Sequence, residues 1–478
     1  MEKVIEWIRL MKDYTDIIVA FSISSFDCIR FRNTAAAART LFLCCVIGVA
    51  TTIAAPSKTT TMSATAPPVS SAQSACQTGA YRSEKGDVVV MLPRQVRHFR
   101  YVFADGRWGN TGDANPHAYC SEGKVFVKQP DGAIEDWKQV PLRIMRTHFV
   151  SDGTTLSGML VEPLNTKNKP PLLVQVHGSN NTGWINGGDE WGHEVYLFAA
   201  HGISTFVFDK RGTGESAGEF TMDFRRLAKD VVTASAEARR LAAGRFSRFG
   251  LFGNSQGGWV APLAAREAKA DFMVIGSAGV FSPIEEDAEQ VFDELRSKGY
   301  KADVLARART VTDATGAVRA SNYTSGYERL AEVKQLYGKE PWFGEIKGEF
   351  TGGILKTGED ELRKFAGHNS LNIDWRHDAT AVLRGLSLPT LWIRAEKDRE
   401  SPMGVTEERL ATLQKEGKPI KLVIFPNTDH AMMEFIESPD GKRRNFRFTD
   451  GYYRLMIDWI KGLLTPPYGK ARFETPAG

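Results

Sequence analysis

Phe249-Gly250-Leu251-Phe252-Gly253-Asn254-Ser255-Gln256-Gly257-Gly258 is the stretch on which the reading of the whole chain turns. The residues before Gly253 suit a short buried strand, and the alanine-rich text over residues 256–268 suits a helix. Between them stands G-x-S-x-G. A chain that turns sharply from strand to helix leaves no room for side chains on either flank. Gly253 and Gly257 therefore clear an elbow, and Ser255 projects above the sheet edge as a candidate nucleophile. The amides that open the following helix can face negative charge developing beside it. The pentapeptide alone is a weak signal; the strand before it and the helix after it supply the setting this chemistry needs.

Outward from this elbow the text alternates. Strand-like segments at 171–176, 203–208, 249–252 and 272–275 are separated by helix-like segments at 190–200, 221–243 and 256–268. That rhythm predicts βαβ units and a parallel sheet with helices on both faces. It stops near residue 281. Residues 282–386 are charged and mostly helical in pattern, with 285–297 and 327–337 the clearest helices. Strands return at 388–394 and 420–425, and a last amphipathic helix covers about 449–464. An insertion of about 100 residues with no strands of its own is a candidate cap over a site. Ahead of the alternation, 88–91, 99–103 and 125–127 are short β-prone pieces separated by turn residues, a small β-rich unit. The organisation is therefore a targeting segment and linker over 1–75 and the β-rich unit over 76–138. The α/β domain covers 139–281 and 387–470, with the cap between its two parts.

A nucleophilic serine needs a base, and the base needs an orienting carboxylate. Asp398 lies in the loop just past the strand at 390–394, where parallel sheets place their ligands. Glu396 and Glu400 are rivals in the same loop and are better read as solvated charges. His430 lies in the loop after the strand at 420–425. Of the nine histidines, it alone follows both the serine and a strand-end acid. Asp429 is read as a turn residue. His177-Gly178-Ser179 ends the strand at 171–176, where a second oxyanion amide belongs, so the candidate donors are the backbone amides of Ser179 and Gln256. His177 itself reads as an anchor for its loop. Asp209-Lys210-Arg211-Gly212-Thr213-Gly214-Glu215-Ser216 reads as a tight turn beneath the site. It lacks the G-x-x-x-x-G-K-[ST] spacing of a phosphate loop.

Together, His177-Gly178, residues 209–216, residues 253–258, Asp398 with Pro402, and His430 resemble the α/β-hydrolase superfamily, in its chain order of nucleophile, acid and histidine. The texts Asp209-Lys210-Arg211-Gly212 and Ser255-Gln256-Gly257-Gly258-Trp259 are similar to the bacterial esterase and acyl-hydrolase branches. The resemblance covers about residues 140–464. It implies an eight-stranded, mostly parallel sheet and hydrolysis of a carboxylic ester or related acyl bond by Ser255, Asp398 and His430. A peptidase acting on short peptides is the neighbouring reading. The prolyl-peptidase relatives usually carry a β-propeller, for which the space before residue 140 is too small. Haloalkane-type chemistry would need a carboxylate where Ser255 stands. A non-catalytic binding protein is the reading from another class; loss of a triad member would be its usual mark, and all three are present.

Composition sets wider bounds. The 478 residues are 42% hydrophobic and 25% charged, with a net charge of +4. These values suit a globular chain and give no footprint for nucleic acid; the resemblance implies a small acyl substrate as partner. The mechanism calls for no metal and no cofactor. Arg30, Arg32 and Arg39 precede an apolar run over 41–55, and no acidic residue occurs from 34 to 83. A basic flank before a short apolar core resembles an export signal, so the mature chain is expected outside the cytoplasm, periplasmic or secreted. Residues 1–29 are either upstream of the true start or an amphipathic segment near a membrane. Cys76 and Cys120 alone follow this region and are expected to pair in an oxidising compartment.

Overall fold

A computed structural model describes residues 76–95, 98–185, 192–369 and 371–474. The expected signal and the possible membrane-associating segment at 1–29 lie outside the described residues. Among the described residues no helix is long and apolar enough to cross a membrane.

The first seven strands are β1 (Gly79–Arg82), β2 (Val88–Gln95), β3 (His98–Phe103), β4 (Trp108–Asn110), β5 (Ala118–Ser121), β6 (Lys124–Lys128) and β7 (Ile134–Gln139). They form an antiparallel sheet in the order β4-β3-β2-β1-β7-β6-β5. Side chains alternate across a strand. In β2, Val88, Val90 and Leu92 therefore join the core shared with the second sheet, while Val89 and Met91 join a local cluster with Tyr101, Phe103 and Trp137. Burial on both faces explains why β2 reads as an unbroken apolar run. Phe103 on β3 and Trp137 on β7 are three strand spacings apart, about 14 Å in a flat sheet. Their rings meet edge-to-face at 5.7 Å, so the sheet curls over its own contents. Cys76 and Cys120 are joined by a disulfide, with Cα atoms 5.6 Å apart, and clip β5 to the start of this unit.

The second sheet has nine strands. They are β8 (Leu142–Ser151), β9 (Thr154–Pro163), β10 (Leu172–Val176), β11 (Ser204–Phe208), β12 (Phe249–Asn254), β13 (Phe272–Gly276), β14 (Thr390–Ala395), β15 (Ile420–Phe425) and, after a separate hairpin of β16 (Met433–Glu437) and β17 (Arg443–Phe448), β18 (Arg472–Glu474). Their order is β18-β15-β14-β13-β12-β10-β11-β9-β8. The six strands β10 to β15 are parallel. The count exceeds the expected eight because β18 adds an antiparallel edge strand beside β15. Three residues, all exposed, carry no apolar pattern by which a sequence reading could find it.

Helices cover both faces. Helix α1 (His193–Ala200) packs on one face of the sheet, which carries Leu173, Val207 and Phe252; α2 (Phe224–Ala242) and α3 (Gly257–Ala265) pack on the other, which carries Val174, Leu251 and Ile275. Asp223 caps α2 by accepting from the Arg225 and Arg226 amides. Among its described residues the expected insertion contains helices and turns and no strand. It comprises α4 (Pro283–Ser297), α5 (Ala302–Ala320), α6 (Tyr327–Tyr337), a 3₁₀ turn (Pro341–Glu345), α7 (Thr351–Lys356) and α8 (Glu359–Arg363). Ser282-Pro283-Ile284-Glu285 starts α4 as a capping box with proline in the first turn. The cap has its own apolar core, from Val291 and Phe292 to Trp342 and Leu362. Buried Asp287 ties α4 to α7 by accepting from the Phe350 and Thr351 amides at 2.7 and 3.0 Å. Helices α9 (Ala379–Arg384), α10 (Val405–Lys415) and α11 (Tyr452–Lys461) return to the sheet, α9 and α10 on the α2 face and α11 on the α1 face.

Candidate active site

The parallel register brings Asn254, Gly276, Ile393 and Val423 level across four neighbouring strands. The loops after β12, β14 and β15 therefore leave the same edge of the sheet. Ser255, the residue after β12, has φ of +53°, a left-handed conformation that a non-glycine residue adopts at a local cost and that aims its side chain out of the turn. A methyl group at Gly253 would lie 2.3 Å from the Gly257 carbonyl oxygen, and one at Gly257 would lie 2.5 Å from that of Val176. Neither position admits any side chain, which is the elbow the sequence implied.

The serine hydroxyl oxygen lies 3.0 Å from His430 Nε2. On the far side of the ring, His430 Nδ1 is 2.9 and 3.1 Å from the two Asp398 carboxylate oxygens. Asp398 is buried, and its Oδ1 also accepts from the Glu400 and Ser401 amides at 2.9 and 2.8 Å. The loop that carries it is fastened by Arg394, a wholly buried guanidinium. It donates to the Ser401 and Pro402 carbonyls at 2.6 and 2.9 Å and pairs with Glu407 at 2.8 Å. Asp429 serves its turn, accepting from the Ala431 and Met433 amides. Three side chains drawn from positions 255, 398 and 430 thus form one continuous hydrogen-bonded line.

The oxyanion side is built from β10. Gly178 packs against the elbow; a methyl group there would lie 3.6 Å from Ser255 Cβ. The Ser179 and Gln256 amides, the two expected donors, make no hydrogen bond to another described residue. His177 is buried with Nε2 against the Phe208 carbonyl. Burial first, then the charge of Lys210, push its pKa down to about 3, so it is a neutral anchor. Asp209 fixes the next loop by accepting from the Trp184, Ile185 and Glu215 amides. Arg211 pairs with Asp230 of α2 through two contacts of 2.8 and 2.6 Å, both groups buried. Removing one partner of such a pair typically costs ~3–5 kcal/mol.

Glu400 is exposed, as its reading as a solvated charge implies, and its carboxylate also lies 3.5 Å from His430 Nε2. Glu286 on α4 and Glu349 just before α7 belong to the same electrostatic neighbourhood. Glu286 is held well above the usual carboxylate range by burial and by Glu349, Asp398 and Glu400; Glu349 is raised by burial, Asp287 and Glu400. For His430, burial favours the neutral ring, but Asp398, Glu400 and Glu286 outweigh it and raise its pKa. Sequence reading missed Arg394, Glu286 and Glu349. Arg394 ends a strand at a position where a charge is out of pattern, and that was its only signal. The two glutamates sit in a charged cap whose text does not mark which face looks down.

The fold and this arrangement define a hydrolase with its site at the carboxyl edge of a parallel sheet. The sequence model of the alpha/beta hydrolase family matches residues 172–441, more than half of the 478 residues, and the chain belongs to that family. No curated protein matches. Among solved structures the chain is similar to the acylaminoacyl peptidase of Pyrococcus horikoshii, at 14% identity and a TM-score of 0.41. That match covers 81% of this chain and 56% of the peptidase, so the chain spans little more than half the peptidase's length. It is also similar to an esterase of Pyrococcus furiosus, at 14% identity and a TM-score of 0.37, covering 60% of this chain and 84% of that one. An esterase of Exiguobacterium antarcticum is similar at 16% identity and a TM-score of 0.36, covering 66% of this chain and all of that one. Likeness this distant carries nothing about substrate.

Proposed function

We propose that this chain is a serine hydrolase that cleaves a carboxylic ester or related acyl bond through an acyl-enzyme. The observation that carries the reading is the unbroken line from the Ser255 hydroxyl through the His430 imidazole to the Asp398 carboxylate. His430 Nε2 takes the Ser255 proton as Oγ bonds to the acyl carbon, and the carbonyl oxygen gains the negative charge. The Ser179 and Gln256 amides bind that oxygen. The tetrahedral adduct collapses, the bond to the leaving group breaks, and His430 delivers its proton to the departing oxygen or nitrogen. Water repeats the sequence and frees the acid. Asp398 holds the ring with Nδ1–H toward itself and stabilises the imidazolium.

A second reading keeps the same machinery and changes the substrate. Glu400 beside the imidazole suits an ammonium group, as on an aminoacyl ester or a short peptide with a free amino end, and such a group would draw the protons off nearby Glu286 and Glu349, whose pKa burial and neighbouring carboxylates raise. Turnover of p-nitrophenyl esters of increasing acyl length, beside aminoacyl-nitroanilides with free and acetylated amines, tests both. Ester turnover with little anilide turnover supports the first. Preferred turnover of the free-amine anilides supports the second, and turnover of neither class contradicts the proposal. We propose also that the mature chain is exported, for which the Cys76–Cys120 pairing is the support. Two titratable thiols in denatured, unreduced protein would refute the pairing.

A further inference from the structure

We infer that Lys210 is a positioning residue for the oxyanion site: its ammonium fixes the Gly178–Ser179 peptide so that the Ser179 amide faces the reacting carbonyl. This rests on the acyl-transfer reading above. Lys210 lies in the loop that follows β11 and is 1% exposed. Its Nζ donates to the Gly178 carbonyl at 2.6 Å and to the Asn180 carbonyl at 2.9 Å, and it sits 5.1 Å from the centre of the Phe220 ring.

The geometry of the peptide group does the rest. The only cis bond among the described residues joins Pro466 and Pro467, so the Gly178–Ser179 peptide is trans. In a trans peptide the C=O and the N–H point in opposite directions. A carbonyl held by Lys210 on the buried side therefore turns the Ser179 N–H away from Lys210. Gly178 lies directly against Ser255, so that turned amide belongs to the nucleophile's surroundings. A neutral donor would suffice as a tether, but a buried ammonium adds two things. Its field opposes the charge of the oxyanion through a short stretch of low-dielectric protein. It also polarises the peptide it holds, which strengthens the N–H as a donor. Both effects are largest when negative charge forms, so they weigh on turnover more than on ground-state binding.

The test compares Lys210→Met, Lys210→Arg and Ser255→Ala in the full chain, with melting temperature measured for each. Lys210→Met keeps the length and removes charge and donors. Its kcat should fall roughly 10²- to 10³-fold with KM changed less than about threefold. Affinity for a boronic acid that forms a tetrahedral adduct should fall by the same factor as kcat/KM. Lys210→Arg, which keeps charge and donors, should recover at least tenfold of the loss and serves as the informative variant where the methionine protein does not fold. Either variant showing a raised KM with unchanged kcat, or a lowered melting temperature with both constants intact, would overturn the assignment. Ser255→Ala separates the two levels. If it is inactive while Lys210→Met turns over normally, only the lysine's role fails; if it turns over like the parent, the acyl-transfer reading fails first.

Discussion

The strand-end loops and the cap meet at one imidazole, yet they are built on different principles. In the loops, short side chains are fixed by backbone amides and buried charges: Asp398 by the Glu400 and Ser401 amides, its loop by Arg394, and the Gly178 carbonyl by Lys210. In the cap, long carboxylate side chains, Glu286 on α4 and Glu349 in the turn before α7, belong to a unit with an apolar core of its own. The first arrangement holds the reacting groups at hydrogen-bond distances in one geometry, as bond-making requires. The second sets a field. On the proposed reading, chemistry belongs to the sheet edge and selectivity to the cap.

Substitutions at the sheet edge should be the most damaging. Ser255→Ala is expected to lower kcat by roughly 10³- to 10⁶-fold with the melting temperature unchanged. Asp398→Asn should lower kcat by roughly 10²- to 10⁴-fold, because the amide cannot stabilise the imidazolium and favours the wrong ring tautomer. A cap substitution with losses this large for every substrate would erase the division of labour.

Cap substitutions should instead change preference. Glu286→Gln with Glu349→Gln should lower kcat/KM for a free-amine aminoacyl ester by roughly tenfold relative to its N-acetylated counterpart, about 1.4 kcal/mol. Equal effects on both substrates would remove the cap from recognition. A smaller effect is expected from Glu400→Gln. His430 must be neutral to accept the serine proton, so kcat/KM rises with pH through its pKa. Glu400 helps to raise that pKa. Its neutralisation should therefore move the acid limb of the pH profile to lower pH; a limb that stays in place, or moves up, contradicts the coupling. Smallest for turnover is Cys76→Ser with Cys120→Ser, far from both regions in sequence. It should leave kcat within about twofold while lowering stability by about 2–4 kcal/mol, read by denaturant unfolding.

The same division explains what the sequence disclosed. The elbow, Asp398 and His430 were legible because each stands at a strand end, and strands announce themselves by apolar runs such as Ile420–Phe425. The helical character of the inserted stretch was legible as an absence of strands, but not its end, since α9 packs back on the sheet. Helix α5 was not, since its apolar and polar residues are spread around the helix, with buried positions from Val304 to Val318 interleaved with threonines and alanines. The β16–β17 hairpin was hidden in text rich in arginine and glutamate, where cross-strand charge pairs such as Glu437 with Arg443 replace an apolar face. Lys210 and Glu400 were visible as residues but not as contacts. A long charged side chain can turn to solvent or to the site from the same backbone, and only the fold decides which.

Fluorophosphonate labelling followed by peptide mass spectrometry tests the central claim most directly. One covalent adduct on the Ser255 Oγ of the native protein, absent from Ser255→Ala and slowed in Asp398→Asn, is the expected result. An adduct on another residue, or undiminished labelling of Ser255→Ala, would contradict it.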